Sequence, residues 1–364
     1  MLEADVEVNR RDFTVRARLT VEPGERLALF GPSGAGKTTL LEVIAGLVAP
    51  RRARITLAGR MLTSTENPVA AVPPWQRRIG LLRQDPGLFP HLSVQANLLY
   101  GRAGADAGAR AELFELAHVL GIAGLLAAMP ARLSGGQAHR VALGRLLLSH
   151  CDALLLDEPY TGLDSSLRRT LTDLVVSLVT RRGVPSILVA HELAEAQAFA
   201  DRLAVLDGGQ ILQEGAPDEV VLSPATRRVA ELVGYAGFVP VRSARADSAA
   251  PTAAPAAIGL TAGIHPDRVI GGRHPELGLI LAGVVTSCRP AGALWEIAIK
   301  LGEVIVTVRL PEAARVGMEI EVTATDPPRF GPDGTAAPVR PAPAATGGLT
   351  AARAAQSRQT GNQK

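Results

Sequence analysis

The chain has 364 residues, 47% of them hydrophobic and 20% charged, with a formal net charge of +3. That length suits two domains and an unstructured end, and so small a charge without any block of one sign argues against nucleic-acid binding. Cys151 and Cys288 stand far apart in no metal-ligand spacing, which fits two reduced thiols in a reducing compartment.

No run of about 18 apolar residues occurs, so no bilayer span is expected, and the opening MLEADVEVNRRDF lacks the apolar core of a secretory signal. The chain is therefore expected to be soluble by itself, with any membrane link made through a partner. Its basic residues are almost all arginine; the lysines are Lys37, Lys300 and Lys364. A lysine kept against that background is a candidate for a role that only lysine fills.

In chain order, residues 1–30 read as alternating strand segments, VEV and FTVRARLTV, followed by a buried apolar strand, RLALF. GPSGAGKTTLLEVIAGL follows as a loop and then a helix. Residues 53–82 carry further short strands. Residues 91–150 are helix-like, with apolar spacing in AELFELAHVLGIAGLL and QAHRVALGRLLL. The apolar run ALLLD, 153–157, suits a buried parallel strand. SSLRRTLTDLVVSLVTRR then predicts a helix and SILVAH another strand. Strands alternating with helices imply an α/β sheet with crossover connections. Beyond about residue 240 the Ala/Pro/Ser-rich VRSARADSAAPTAAPAA reads as a linker. Short strands from 257 to about 327 (GLILAGVVTS, LWEIAIK, EVIVTVRL, MEIEVTA) suggest a small antiparallel barrel. From 331 on the chain has too little apolar content for a core and is expected to be disordered.

GPSGAGKT, residues 31–38, fits the phosphate loop G-x-x-x-x-G-K-[ST], with a strand before it and a helix after it. Gly31, Pro32, Ser33, Gly34, Ala35 and Gly36 curl the backbone so that its N–H groups face a phosphate. Lys37 reaches the β- and γ-phosphates, and the Thr38 hydroxyl serves Mg²⁺, with Thr39 next in the same turn. ALLLDEP ends a strand with Asp157, a carboxylate for Mg²⁺, and Glu158, which can take a proton from an attacking water. Gln84 in LLRQDPGLFP and His191 in LVAHELAEA stand at further strand ends, suited to Mg²⁺ with the attacking water and to the γ-phosphate respectively. RLSGGQAHR places Ser134, Gly135, Gly136 and Gln137 at the start of a helix, where bare N–H donors and the positive helix end favour an anion. Ser134 also suits an ordinary helix N-cap.

Together the phosphate loop, Gln84, LSGGQ at 133–137, LLLDEP, GLD at 162–164 and His191 resemble the ATP-binding subunit of an ABC transporter. The resemblance covers roughly residues 1–235. It implies a P-loop NTPase α/β domain over 1–235 with a helical subdomain at about 85–150; composition adds a linker over 236–256 and a disordered tail over 331–364, and the strands between them, 257–330, are similar to an accessory OB- or TOBE-like barrel. It implies ATP and Mg²⁺, with Thr38, Gln84 and Asp157 on the metal and Glu158, His191 and Gln84 in catalysis. It implies a head-to-tail homodimer in which Ser134 and Gly136 contact the γ-phosphate held by the partner's loop, with Asp164 in the D-loop. The other implied partners are membrane permease subunits, docked near Phe89, Pro90 and Leu92, and, indirectly, a periplasmic or extracellular solute-binding protein. The place is the cytoplasmic face of the cell (inner) membrane, as a peripheral subunit.

The appended β-domain is similar to that of importer ATPases for oxyanions, sugars, polyamines and iron. PPWQRRIGLLRQDPGLFPHLSVQANLLYG most resembles the molybdate importer subunit, with sulfate, ferric iron, polyamine or another solute as alternatives. The signature continues as QAHR, so His139 stands where the family commonly has Gln or Arg. Phe13, the one aromatic among residues 1–29, suits either adenine stacking or core packing. A non-transport ABC ATPase is the rival class, but residues 39–132 carry no heptads for a DNA-repair coiled coil and the chain has one cassette.

Overall fold

The structure is a computed structural model and describes residues 1–10, 13–101, 107–161, 163–241 and 260–337. It divides into two compact units, Met1–Gly234 and Tyr235–Lys364.

The first unit is built on one 11-stranded sheet. β1 (Leu2–Asn9) and β2 (Thr14–Val21) alternate buried and exposed residues, so each gives one face to the core and one to solvent. β3 (Arg26–Phe30) is followed by the phosphate loop and α1 (Lys37–Ala45). β4 (Arg52–Leu57), β5 (Arg60–Ser64) and β6 (Ala70–Ala71) extend the antiparallel side. β7 (Ile79–Leu82) precedes a largely helical stretch: α2 (Val94–Leu98), α3 (Ala107–Val119) and α4 (Gly135–Leu148). Then come β8 (Ala153–Asp157), α5 (Ser165–Arg182), β9 (Ser186–Ala190), α6 (Leu193–Phe199), β10 (Arg202–Asp207), β11 (Gln210–Gly215), α7 (Pro217–Leu222) and α8 (Arg227–Leu232).

The strands run in the order β6-β5-β4-β1-β2-β11-β10-β3-β9-β8-β7. From β10 to β7 each neighbour is parallel to the next. β8 and β9 are buried at every position, and β3 at all but its first residue. Continuous apolar runs such as ALLLD and SILVA are what a strand covered on both faces requires. Leu154, Leu155, Leu156, Ile187, Leu188 and Val189 are each 0% exposed, and burying one such side chain contributes about 1.5–3 kcal/mol.

The second unit holds two antiparallel sheets. β12 (Gly237–Pro240), β13 (Thr261–Ile264) and β19 (Arg329–Phe330) form one. β14 (Val269–Gly271), β15 (Gly278–Ala291), β16 (Leu294–Leu301), β17 (Val304–Leu310) and β18 (Glu319–Thr325) form the other, in the order β14-β18-β15-β16-β17. A register shift between Val285 and Ser287 lets the long β15 leave β18 and continue along β16. Ile297, Ile299, Val306, Val308 and Val322 fill its core.

Three expectations change. The strands expected to form one barrel are hydrogen-bonded as two antiparallel ladders, β12-β13-β19 and β14-β18-β15-β16-β17, with no strand pairing joining them among the described residues. The expected linker begins as strand: Gly237–Pro240 is β12, and Phe238 packs edge-on against Phe330 with ring centroids 5.8 Å apart. An apolar pair in contact outweighs the Ala/Pro/Ser bias of the neighbouring sequence; residues 242–256 of that linker lie outside the described residues. The expected tail starts as a turn, closed by the Gly331 N–H donating to the Thr335 carbonyl at 2.8 Å, and residues 338–364 lie outside the described residues.

Candidate nucleotide site

The candidate site arises from the parallel strands. β3, β9, β8 and β7 are neighbours pointing the same way, so their carboxyl ends share one edge of the sheet. Phe30 pairs with Ala190, Asp157 with Val189 and Leu82 with Leu156. The next residues are Gly31 after β3, Glu158 after β8 and His191 after β9; Gln84 comes two residues after β7. That edge of a doubly wound sheet is where ligands bind.

The phosphate loop is a tight connection. A Cβ on Gly31 would lie 1.9 Å from the Leu206 carbonyl oxygen of β10, so only glycine passes there. The Gly209 N–H donates to the Ala35 carbonyl at 3.1 Å and ties the loop to the β10–β11 turn. Gly36, with φ 105°, caps α1 at its N-terminus. Phe13 is part-buried beside that glycine, packed on the core and adjoining the loop at once. Lys37 is 6% exposed and donates its Nζ to the carbonyls of Gly31 at 2.7 Å and Pro32 at 2.9 Å. Burial pushes its ammonium below the ordinary lysine value, while Glu158 and Asp157 act the other way.

Thr38 donates its hydroxyl to Asp157 Oδ1 at 3.1 Å. Asp157 is 2% exposed, and burial raises its carboxyl above the ordinary range despite the Thr38 hydrogen bond. Glu158 takes φ 48°, a left-handed conformation that costs energy in a residue with a side chain. Its N–H donates to the Val189 carbonyl at 3.2 Å, and Thr161 donates to its Oε2 at 3.4 Å. His191 Nδ1 lies 4.0 Å from that same Oε2, and its Nε2 lies 3.7 Å from Glu192 Oε1. Lys37, Thr38, Asp157, Glu158 and His191 are thus one cluster around the strand ends.

The remaining expected residues stand apart from it. Gln84 is exposed just beyond β7, and among the described residues no hydrogen bond joins it to Thr38 or Asp157, which bond to each other. Ser134 caps α4 in a reciprocal box: Gln137 N–H donates to its Oγ at 3.3 Å, and its own N–H donates to Gln137 Oε1 at 2.9 Å. Gly135 is exposed and Gly136 half-buried; a Cβ on either would meet nothing within 4 Å, so the first turn of α4 is open. With the Ser134 and Gln137 N–H groups taken by the box, those of Gly135 and Gly136 are the donors the helix start leaves over. Asp164 caps α5, its Oδ1 accepting from the N–H groups of Ser166 and Leu167 at 3.0 Å each; Gly162 lies outside the described residues. The Thr39 hydroxyl is already engaged, accepting from Arg10 Nε at 2.9 Å. His139 is buried on α4, where burial holds its imidazole below the ordinary value and the Pro159 carbonyl opposes that.

Sequence reasoning passed over Glu195. It sits on α6, four residues past His191, 6% exposed and with Oε1 unpaired. Burial raises its carboxyl to about 7, against the opposing charge of Arg168 and with Glu192 and Glu158 adding to the rise. Its spacing from His191 was visible, but its burial was not.

A phosphate loop with a buried Asp, a turned Glu and a His at parallel strand ends is an arrangement suited to binding a nucleotide polyphosphate. The ABC transporter family model matches residues 15–161. Two solved structures align with the chain. One is a dimeric ATP-binding cassette in a post-hydrolysis state with ADP and phosphate, at 25% identity and TM-score 0.52 over 60% of this chain and 99% of that one. The other is the ATP-binding subunit of an ABC transporter, at 26% identity and TM-score 0.53 over 64% and 95%. The first unit has the P-loop ABC ATPase fold.

Among curated proteins, the chain is similar to the Fe(3+)-ion import ATP-binding protein FbpC of Pseudomonas fluorescens, 43% identical over 62% of this chain and 63% of that protein. It is similar to the sulfate/thiosulfate import ATP-binding protein CysA 2 of Chromobacterium violaceum, 42% identical over 62% and 60%. It also resembles the spermidine/putrescine import ATP-binding protein PotA of Frankia alni, 38% identical over 74% and 56%. The chain matches between 56% and 63% of the length of these relatives.

Proposed function

We propose that this chain is the ATP-hydrolysing subunit of an ABC importer. The observation that carries this reading is the Glu158 carboxylate, turned by a left-handed backbone to lie beside His191 at the strand edge that holds Lys37 and Thr38. The phosphate loop and Lys37 bind the polyphosphate of ATP, Lys37 releasing the Gly31 and Pro32 carbonyls to do so. Glu158 accepts a proton from the attacking water, and His191 orients the γ-phosphate.

The Thr38 hydroxyl and the buried Asp157 carboxylate are the hard oxygen ligands that Mg²⁺ prefers. Mg²⁺ held there, with Gln84 drawn in, would offset charge on the phosphates. The open first turn of α4, with Gly135 and Gly136, suits an anion brought by a second copy of the chain. Permease subunits in the membrane and a solute-binding protein complete the assembly, with this chain at the cytoplasmic face.

The solute is ferric iron, sulfate or a polyamine. The likeness to FbpC, CysA 2 and PotA favours these alternatives over molybdate, which rested on likeness around residues 73–101 and in the segment leading into the phosphate loop. Glu158→Gln should lower the hydrolysis rate by about 10²–10⁴-fold while ATP still binds. Steady-state phosphate release and ATP binding measured together check this, and normal turnover in the variant would remove Glu158 from the role. In cells lacking the chain, labelled ferric iron, sulfate, spermidine and molybdate should distinguish the solute. The one whose uptake returns with the intact chain but not with Glu158→Gln is the cargo.

A further inference from the structure

α4 begins at the open signature turn and ends against the loop that carries Gln84. Arg145, in its last turn, donates Nη1 to the Gly87 carbonyl at 3.0 Å and Nη2 to the Pro86 carbonyl at 3.1 Å. The same guanidinium lies over the Phe89 ring, 5.3 Å from its centroid. Phe89 in turn packs on Tyr100, with centroids 4.0 Å apart. The far end of the loop is held separately by Asn97, which is 0% exposed. Its Nδ2 donates to the carbonyls of Phe89, Leu92 and Ser93, and its Oδ1 accepts from the Phe89 N–H.

Residues 83–92 contain no helix or strand, so these side chains supply most of their fixed contacts. Two adjacent carbonyls and an aromatic face suit the planar fork of arginine and not the single point charge of lysine. The two carbonyls lie two and three residues past Gln84, and the ring belongs to the segment expected to meet a membrane partner.

We propose that Arg145 is a positioning residue: it fixes residues 84–89 to the C-terminal end of α4, so that Gln84 and Phe89 move with the helix whose other end is the signature turn. A displacement of α4 by an anion at Gly135 and Gly136 then reaches Gln84 through one rigid helix and one side chain. This rests on reading the chain as an ATPase, but the hydrogen-exchange half of its test does not depend on that reading.

The test is amide hydrogen exchange of the full chain without nucleotide, comparing Arg145→Lys with the parent. Exchange across residues 84–89 should rise about 5- to 10-fold while β8, β9 and the first turn of α4 stay unchanged. In steady-state hydrolysis the same variant should lower kcat by about 10-fold with KM for ATP within about 2-fold, since the phosphate loop is untouched. Phe89→Leu, which keeps both carbonyls and removes the ring, should give a smaller effect of the same pattern, and it serves if Arg145→Lys fails to fold.

Unchanged exchange in 84–89 would overturn the proposal. So would a uniform rise over the whole unit, which marks a purely structural arginine, and so would loosened exchange with an unaltered kcat. If the parent chain hydrolyses no ATP, the ATPase reading falls, while the exchange result still decides whether Arg145 holds the loop.

Discussion

Glu158 and Glu195 are two carboxylates near one histidine, and their surroundings separate them. Glu158 is reached by a hydroxyl and an imidazole at the strand edge. Glu195 is buried on α6 with one oxygen unpaired. Because burial raises its carboxyl from 4.5 to about 7, the folded chain holds a proton there that the unfolded chain has lost. Stability from this group therefore falls as pH rises from about 4.5 through about 7. Glu195→Gln should remove that penalty: about 1–3 kcal/mol of added stability at pH 8 and little at pH 5, read from denaturant midpoints. The same gain at both pH values would show that the carboxyl does not titrate on unfolding. No local pattern announced this group. HELAEAQAF reads as an ordinary amphipathic helix start, and only the packing of α6 onto β3, β9 and α5 buries the fourth residue past His191.

The elements show which motifs act through backbone and which through contacts. The phosphate loop was legible because its chemistry is local: glycines, one lysine and one threonine within eight residues, between a strand and a helix. ALLLD was legible for a similar reason, since a five-residue apolar run ending in a carboxylate has few other uses. The signature turn was legible in type, and both weighed uses are compatible: Ser134 is the cap while the glycines beside it stay open. Ser134→Ala should cost about 0.5–2 kcal/mol of stability through the lost cap. Nucleotide affinity of the chain's own phosphate loop should be unaffected. Thermal unfolding and nucleotide titration check the two halves of that statement, and a weakened affinity would mean that α4 serves the site of its own chain.

At the scale of the whole molecule, one unit carries the ATPase fold and the other is a pair of antiparallel sheets. No helix among the described residues is long and apolar enough to cross a membrane. If the open turn of α4 serves a second copy, hydrolysis per chain should rise with chain concentration and show positive cooperativity in ATP. A rate per chain that stays constant over a hundred-fold dilution, with ATP saturating, would argue for a self-sufficient monomer. Dilution with phosphate release as readout makes this measurement directly.

The amino-acid sequence by itself determined the α/β class, the phosphate loop, the Asp157–Glu158 pair and the helix start at Ser134, because each is written in residues close together along the chain. The tertiary structure alone decided that Thr39 is taken by Arg10 and that Glu195 is buried. It also decided that Arg145 holds the Gln84 loop, and that β12 belongs to a sheet and not to a linker. These depend on strand order and on which helix faces which. Contacts between residues far apart in the chain are set by the packing of whole elements, and no short window of sequence carries that information.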